Sequence, residues 1–351
     1  MAHKPSICTM SLGRCFAGHS LPHKLDMAAK YGFQGIEVFY EDLVDLSKSL
    51  PGGATHANQV IAARTIHDLC QDRSLDIICL QPFMHFGGLV DRDAQEKQFD
   101  ELRHWFDLVH ALDTDLILFP SSFLPAEQTT DDINVLTSDF TRAAEMGLQQ
   151  QPVVRFAFEA LCWGTRLSLW EESWEMVQRV DRSNFGMCLD TYNILGRIYA
   201  DPATESGKTS DCDQVTQDSI KKLLTEVDVS RVFLLQVADG EKLNSPLNES
   251  HPFYNAEQPS RMSWSRNARL FYGESSYGAY LPSKQLLRAI VQGLGFEGWL
   301  SFEVFNRRFL DTDKIVPEET AKRAAESFEK MKIDIGLRTS DQVQPRLQAN
   351  L

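Results

Sequence analysis

Four oxygen-bearing side chains stand at or near the ends of short apolar runs. Glu159 closes the core of "VVRFAFEA" and Asp190 closes "NFGMCLD", while Gln236 sits in "VFLLQVAD" and Glu303 in "GWLSFEVF". Runs rich in β-branched and aromatic residues read as buried strands, where a carboxylate is costly unless something offsets its charge. Each acid taken alone has an ordinary explanation, as a cap for the next helix or a partner for a basic side chain. Three of them within a few ångströms of one another are a different matter, because mutual repulsion would force one or more to take up a proton. A divalent cation removes that conflict. The set offers oxygen only, with neither thiolate nor imidazole, which suits Mg²⁺ or Mn²⁺ better than zinc or copper, with Co²⁺ as a substitute. Glu159, Asp190, Gln236 and Glu303 are therefore the expected metal ligands. Glu37, in "GIEVFY", is expected either to orient a histidine or water near the metal or to be a structural charge.

These residues converge only if the runs that carry them surround one axis. Eight such runs occur, at 6–12, 35–40, 75–83, 114–121, 153–160, 184–190, 232–239 and 298–305. Helical patterns separate most of them, at 21–31, 57–72, 95–112, 168–180, 218–227 and 283–293, and a final one spans 317–335. Short, nearly continuous apolar strands alternating with helices are the mark of parallel strands covered on both faces. Eight such units in a chain of 351 residues predict an α/β fold of the (β/α)₈ TIM barrel class, in one domain over 1–338 with a C-terminal tail at 339–351. A doubly wound open sheet is the rival, weakened because no Gly-rich dinucleotide or phosphate-binding fingerprint follows any strand. In a barrel the C-terminal strand ends ring the active-site face. The segment 240–282, which follows the seventh strand at that face, has little periodic pattern and is expected to be a long loop or lid.

Bulk properties narrow the classes of function. The formal net charge of −14 opposes non-specific nucleic-acid binding. No apolar run approaches the roughly 20 residues of a membrane helix, and the N-terminus has no signal-peptide core, so a cytoplasmic location is expected. The seven cysteines are scattered without a CxxC pair, which predicts reduced, mostly buried thiols. The expected partner is a small molecule.

Several motifs carry a resemblance. "LQPF", "FEAL" followed by "WG", "MCLDTYNI", "LLQVADGE", "MSWSRNARLFYGE" and "GWLSFEVFN" together resemble the fungal 3-dehydroshikimate dehydratase family, within the xylose-isomerase-like (sugar phosphate isomerase/epimerase) superfamily of barrels. The resemblance runs from about residue 5 to residue 335. It implies dehydration of 3-dehydroshikimate to protocatechuate, in quinate catabolism, with a divalent metal on Glu159, Asp190, Gln236 and Glu303. It departs at Asn193, where several bacterial relatives carry a histidine.

The chemistry so implied begins with loss of the proton beside a ketone, at a carbon that also bears a hydroxyl. The resulting enediolate is stabilised by a divalent ion acting as a Lewis acid, and the neighbouring hydroxyl then leaves with help from a proton donor. His85, in "QPFMHFGG", has a pKa suited to exchanging protons near neutrality, the alternative being a loop histidine bonded to a carbonyl. Tyr192 and Asn193, directly after Asp190, contact substrate or merely start the next helix, and Gln81 ends the third strand as a further substrate contact. Arg266 and Arg269, in "SRNARLF", are expected to grip the substrate carboxylate through parallel hydrogen bonds, unless they pin the lid to acids. A keto-sugar isomerase or epimerase using the same metal is the rival reaction, and a non-catalytic sugar-acid sensor the rival outside catalysis. A metal-dependent nuclease is disfavoured by the acidic balance and the histidine-poor ligand set.

Overall fold

Alternation along each strand sorts its side chains between two environments, and that sorting builds the site. The computed structural model describes residues 3–338. Its strands are β1 (Lys4–Cys8), β2 (Gly35–Phe39), β3 (Asp76–Gln81), β4 (Leu116–Pro120), β5 (Arg155–Glu159), β6 (Phe185–Asp190), β7 (Val232–Gln236) and β8 (Trp299–Phe302). Each pairs in parallel with its neighbours in sequence, and β8 closes on β1, so the sheet is a barrel. The eight-stranded (β/α)₈ expectation holds.

The helices are α1 (Leu21–Lys30), α2 (Tyr40–Lys48), α3 (His56–Gln71), α4 (Arg92–Ala111), α5 (Ile133–Leu148), α6 (Trp170–Val180), α7 (Thr191–Ile198), α8 (Cys212–Glu226), α9 (Ser260–Ala268), α10 (Ser283–Arg288) and α11 (Val316–Met331). Outward-facing rings of the barrel pack against them. Phe119 stacks on Phe156 at 4.9 Å between ring centres, and Phe140 from α5 meets Phe158 at the same distance. Inward, a smaller cluster of Cys79, Leu116, Leu118, Ala157, Cys188 and Leu234 fills the barrel. Two residues beyond Ala157, Cys188 and Leu234 come Glu159, Asp190 and Gln236. They occupy the same face one layer higher, so the barrel core forms the base on which the polar layer rests. Register holds that layer level: Glu159 lies opposite Pro120, and Gln236 lies opposite both Asp190 and Ser301.

Some elements differ from the expectation. β1 stops at Cys8 and gives way to a 3₁₀ turn, Thr9–Leu12. β8 stops at Phe302, so Glu303 lies just past the strand. Helices α2, α5 and α7 were not anticipated. In α7 every residue from Thr191 to Leu195 is buried, so no polar stripe marks it as a helix. The segment 240–282 is not structureless. It carries α9, whose buried Met262, Ser263, Trp264, Ser265 and Ala268 lie all around the helix. It also carries Arg269–Leu270, paired antiparallel with Asp239–Gly240. The tail expected at 339–351 lies outside the described residues. All seven cysteines are free, and six are buried. No helix among the described residues is long and apolar enough to cross a membrane.

Asp239 anchors that ribbon to the body. Its Oδ1 accepts from the backbone N–H of Gly240 at 2.8 Å and of Leu281 at 3.0 Å, and its Oδ2 accepts from Ser283 Oγ at 3.1 Å. Burial pushes its pKa from the ordinary 3.8 up to about 6, against these hydrogen bonds. The folded protein therefore holds this proton where the unfolded chain has lost it, so stability falls as pH rises from about 4 to 6. The contribution is about 3 kcal/mol. Asp239→Asn keeps the acceptor at Oδ1 and removes the titration. Urea unfolding across this range should show a flatter pH dependence in the variant, and an unchanged slope would show that Asp239 does not titrate there.

Candidate active site

Glu159, Asp190 and Glu303 come together at the C-terminal mouth of the barrel, all buried, with one ligand oxygen from each within 4.8 Å of the others. Burial, followed by the charges of Glu303 and Asp190, pushes the Glu159 pKa well above the carboxylate range. Glu303 is also raised, chiefly by burial, with Asp190 adding to the shift and Arg269 opposing it. Asp190 serves two ends. Its Oδ1 caps α7 by accepting from the N–H of Tyr192 at 2.7 Å, and its Oδ2 faces the cluster. The capping role and the cluster role are thus compatible in one side chain.

Asn193 ties two of these acids together. Its Nδ2 donates to Glu159 Oε1 at 2.6 Å and to Asp190 Oδ2 at 2.8 Å, while its Oδ1 accepts from the N–H of Cys162 at 3.1 Å. That backbone contact fixes which way the amide faces. An amide does not titrate near neutral pH, so Asn193 orients carboxylates and does not carry protons.

Beside the acids lies an amide bridge. Glu37 Oε2 accepts from Gln81 Nε2 at 3.0 Å and from Gln236 Nε2 at 2.9 Å. Gln81 Nε2 also donates to Glu303 Oε1 at 2.8 Å. With its nitrogen turned to Glu37, Gln236 keeps its oxygen as an acceptor, 3.3 Å from Cys188 Sγ. Burial and the nearby Glu303 charge push Glu37 up to about 7. Glu37 therefore orients two glutamine amides, and Gln81 spends its NH₂ group within the acid layer while its side chain lines the cavity above.

One cation is built into this layer. Arg269 is 1% exposed, and its Nη1 lies 2.8 Å from Asp190 Oδ2 and 3.0 Å from Glu303 Oε2. Its Nε donates to Ser265 Oγ at 3.0 Å. Tyr192 and Phe305 present their rings to the guanidinium at 4.3 and 5.0 Å. Burial alone would lower the Arg269 pKa, but the carboxylates of Asp190 and Glu303 more than offset it. Tyr192 is wholly buried, and among the described residues its Oη has no hydrogen-bond partner; burial raises its pKa far above the phenol range.

Above the layer opens a cavity of about 570 Å³, lined by Glu159, Glu303, Gln81 and Arg269 and walled by aromatic side chains including Phe39, Phe123, Trp163 and Phe305. Arg266 lines it as well, and among the described residues its guanidinium makes no hydrogen bond or ion pair. The two arginines expected to act alike are thus placed differently: Arg269 is spent on the acid layer, and Arg266 is free at the cavity. His85 stands apart from the cavity lining. It adopts a left-handed backbone with φ 57°, its Nδ1 lies 3.2 Å from Ser122 Oγ, and its ring packs at 4.5 Å on Phe123, which does line the cavity. Burial lowers its pKa, so its imidazole is neutral near pH 7. Arg14 and Leu310 also reach the cavity. Neither was singled out from the sequence, where the only signal for Arg14 was its place just after the first strand.

The donor set fits a divalent cation. Of the three buried carboxylates only Asp190 and Glu303 pair with the one guanidinium, every donor is oxygen, and the separations suit a single small ion. Such an ion would be held by Glu159, Asp190 and Glu303.

Comparison with known proteins agrees with this architecture. A model described as xylose isomerase-like TIM barrel matches residues 25–332. The chain is 52% identical over 359 residues to the 3-dehydroshikimate dehydratase of Neurospora crassa, with 100% of each chain covered. It is 28% identical over 307 residues to the 3-dehydroshikimate dehydratase of Pseudomonas aeruginosa, across 87% of this chain and 38% of that one. Among solved structures, a xylose isomerase-like TIM barrel/4-hydroxyphenylpyruvate dioxygenase fusion protein superposes with a TM-score of 0.71 at 24% identity, over 95% of this chain and 43% of that chain.

The buried guanidinium makes a sharp stability test. Arg269→Met keeps much of the bulk but leaves Asp190 and Glu303 without their cation. In the presence of a chelator, urea unfolding should show a loss of about 3–5 kcal/mol, the cost of breaking a buried pair from one side. A loss under ~1 kcal/mol would mean that the acids are already neutral in the metal-free protein.

Proposed function

Because the chain belongs to the xylose isomerase-like TIM barrel family, we propose that it is a lyase that dehydrates 3-dehydroshikimate to protocatechuate. The end-to-end match to the Neurospora dehydratase carries the reading, and the cavity supplies its chemistry. A substrate with a carboxylate at one end and adjacent ketone and hydroxyl oxygens at the other matches a cavity with a free guanidinium and a buried acid layer. Arg266 takes the carboxylate, and the aromatic walls enclose the ring.

Glu159, Asp190 and Glu303, with Gln236 as a fourth oxygen, hold Mg²⁺ or Mn²⁺, with Co²⁺ as a substitute. When bound, such a cation supplies Lewis-acid stabilisation of negative charge on adjacent oxygens. Asn193 fixes Glu159 and Asp190, Glu37 fixes the amides of Gln81 and Gln236, and the Tyr192 ring packs against the Arg269 guanidinium. The aromatic enclosure limits water at the reacting carbons. Proton transfer beside the ketone is assigned to the neutral imidazole of His85, which packs on the cavity-lining Phe123, lies 3.2 Å from the Ser122 hydroxyl and acts through one intervening water. Aromatisation makes the overall loss of water strongly downhill.

Three measurements test this reading. Mixing the protein with 3-dehydroshikimate and Mg²⁺ or Mn²⁺ should produce the ultraviolet spectrum of protocatechuate. A chelator, Asp190→Ala or Glu303→Ala should cut the rate by about 1,000-fold, several kcal/mol of barrier. Turnover that survives thorough chelation would remove the metal, and keto-sugar isomerisation without protocatechuate would replace the reaction. His85→Gln should lower kcat by at least about tenfold. An unchanged kcat would pass proton transfer to Glu159, which faces the cavity with a raised pKa. Arg266→Ala should raise KM by about 10- to 100-fold, the worth of a charge-assisted pair, and leave divalent-ion binding by calorimetry intact. An unchanged KM would take Arg266 out of carboxylate binding.

A further inference from the structure

Arg14 lies in the turn that follows β1 and lines the same cavity as Arg266. Its setting is built from contacts to several elements. The backbone N–H of Arg14 donates to Phe309 O at 3.0 Å, which anchors the turn to the segment after β8. Its guanidinium lies 4.9 Å from the ring of Phe16 and 5.8 Å from that of Phe39. Glu41, in the first turn of α2, takes the Nε and Nη2 edge, with Nε 3.2 Å from Oε1. Cys15 Sγ, 3.2 Å away, donates to the same Oε1. That leaves Nη1 without a hydrogen-bond partner among the described residues, on a side chain that is 21% exposed.

Arg14 is also close enough to Arg266 for its charge to lower the Arg266 pKa, after burial. Besides Arg269, two guanidinium groups therefore share the cavity, and among the described residues Glu41 is the only carboxylate paired to either of them. Like charges held together cost energy unless an anion joins them. The acids at the barrel mouth cannot serve, because Asp190 and Glu303 are paired with Arg269 and Glu159 is held by Asn193.

We propose that Arg14 is a second carboxylate-binding residue, which with Arg266 forms a two-arginine clamp, and that Glu41 is the positioning residue that holds its plane. The inference rests on the reading above, in which the ligand is a ring carboxylate. It adds a specificity function: the clamp sets the carboxylate at the arginine end, so the ketone and its neighbouring hydroxyl face the acid layer. A neutral ring of the same size lacks this anchor and binds without a fixed orientation.

The test compares two ligands that differ only in the carboxylate. Steady-state turnover of 3-dehydroshikimate by the full chain in Mg²⁺ or Mn²⁺ is measured with protocatechuate or catechol as inhibitor. Arg14→Gln should raise KM about tenfold or more, change kcat by less than about threefold, and weaken inhibition by protocatechuate as much as it raises KM, while inhibition by catechol stays at the wild-type level. Arg14→Lys keeps the charge and the partner for Glu41 but loses the planar fork. It should give a smaller rise in the same direction, and it carries the test if Arg14→Gln folds poorly. Equal weakening of both inhibitors, or preference for protocatechuate unmoved by either substitution, would overturn the clamp and leave the dehydratase reading standing. A wild-type protein that makes no protocatechuate would overturn the dehydratase reading itself and the clamp with it.

Discussion

Repulsion among buried carboxylates is the constraint from which the rest of the site follows. Glu159, Asp190 and Glu303 sit in a layer where charge is poorly solvated, with oxygens within 4.8 Å of one another. The protein does not avoid this arrangement; it supports it from three directions. Arg269 reaches in from the segment after β7 and touches two of the acids. Asn193 donates to two of them, and Gln81 to the third. These contacts moderate the repulsion without cancelling it, since Glu159 and Glu303 remain hard to ionise. The divalent cation proposed above would take up the repulsion that Arg269 and the amides leave.

The segment between β7 and β8 is more than a cover. Through Arg269 it supplies the buried cation, through Ser265 it orients that cation, and through Arg266 it gives the cavity a free positive group. Trp264 Nε1 donates to the carbonyl of Glu241 at 2.8 Å, so the short helix that holds these residues is pinned to the start of the same segment. The order of residues in "SRNAR" thus separates two arginines by one helical turn into two environments. Arg266 remains exposed and, among the described residues, unpaired, whereas Arg269, where the helix gives way to extended backbone, is directed into the acid layer.

Much of the site was legible because strand geometry is regular. A period of two places Glu159 above Ala157 and Asp190 above Cys188, so an acid at the end of an apolar run is read directly as an acid over the barrel core. The eight strand runs were equally direct, as were most of the helices between them, α5 between β4 and β5 excepted. Less legible were features without a period. α7 is buried on nearly all sides, and α9 mixes serines with buried tryptophan and methionine, so neither shows the apolar stripe by which a helix is recognised. Arg266 and Arg269 looked equivalent in a string of seven residues, and nothing local distinguishes the one that is spent from the one that is free.

The sequence by itself determined the barrel, its parallel strands and the chemical types gathered at their ends, because hydrophobic period and residue chemistry are local properties of the chain. Tertiary structure alone decided which oxygen faces which nitrogen. Glu37 meets Gln81 and Gln236, and Arg269 meets Asp190, across separations of 44, 199 and 79 residues. Contacts at such range depend on barrel closure and register, which no local pattern encodes. The same closure brings Arg14, after the first strand, to the cavity of Arg266, after the seventh.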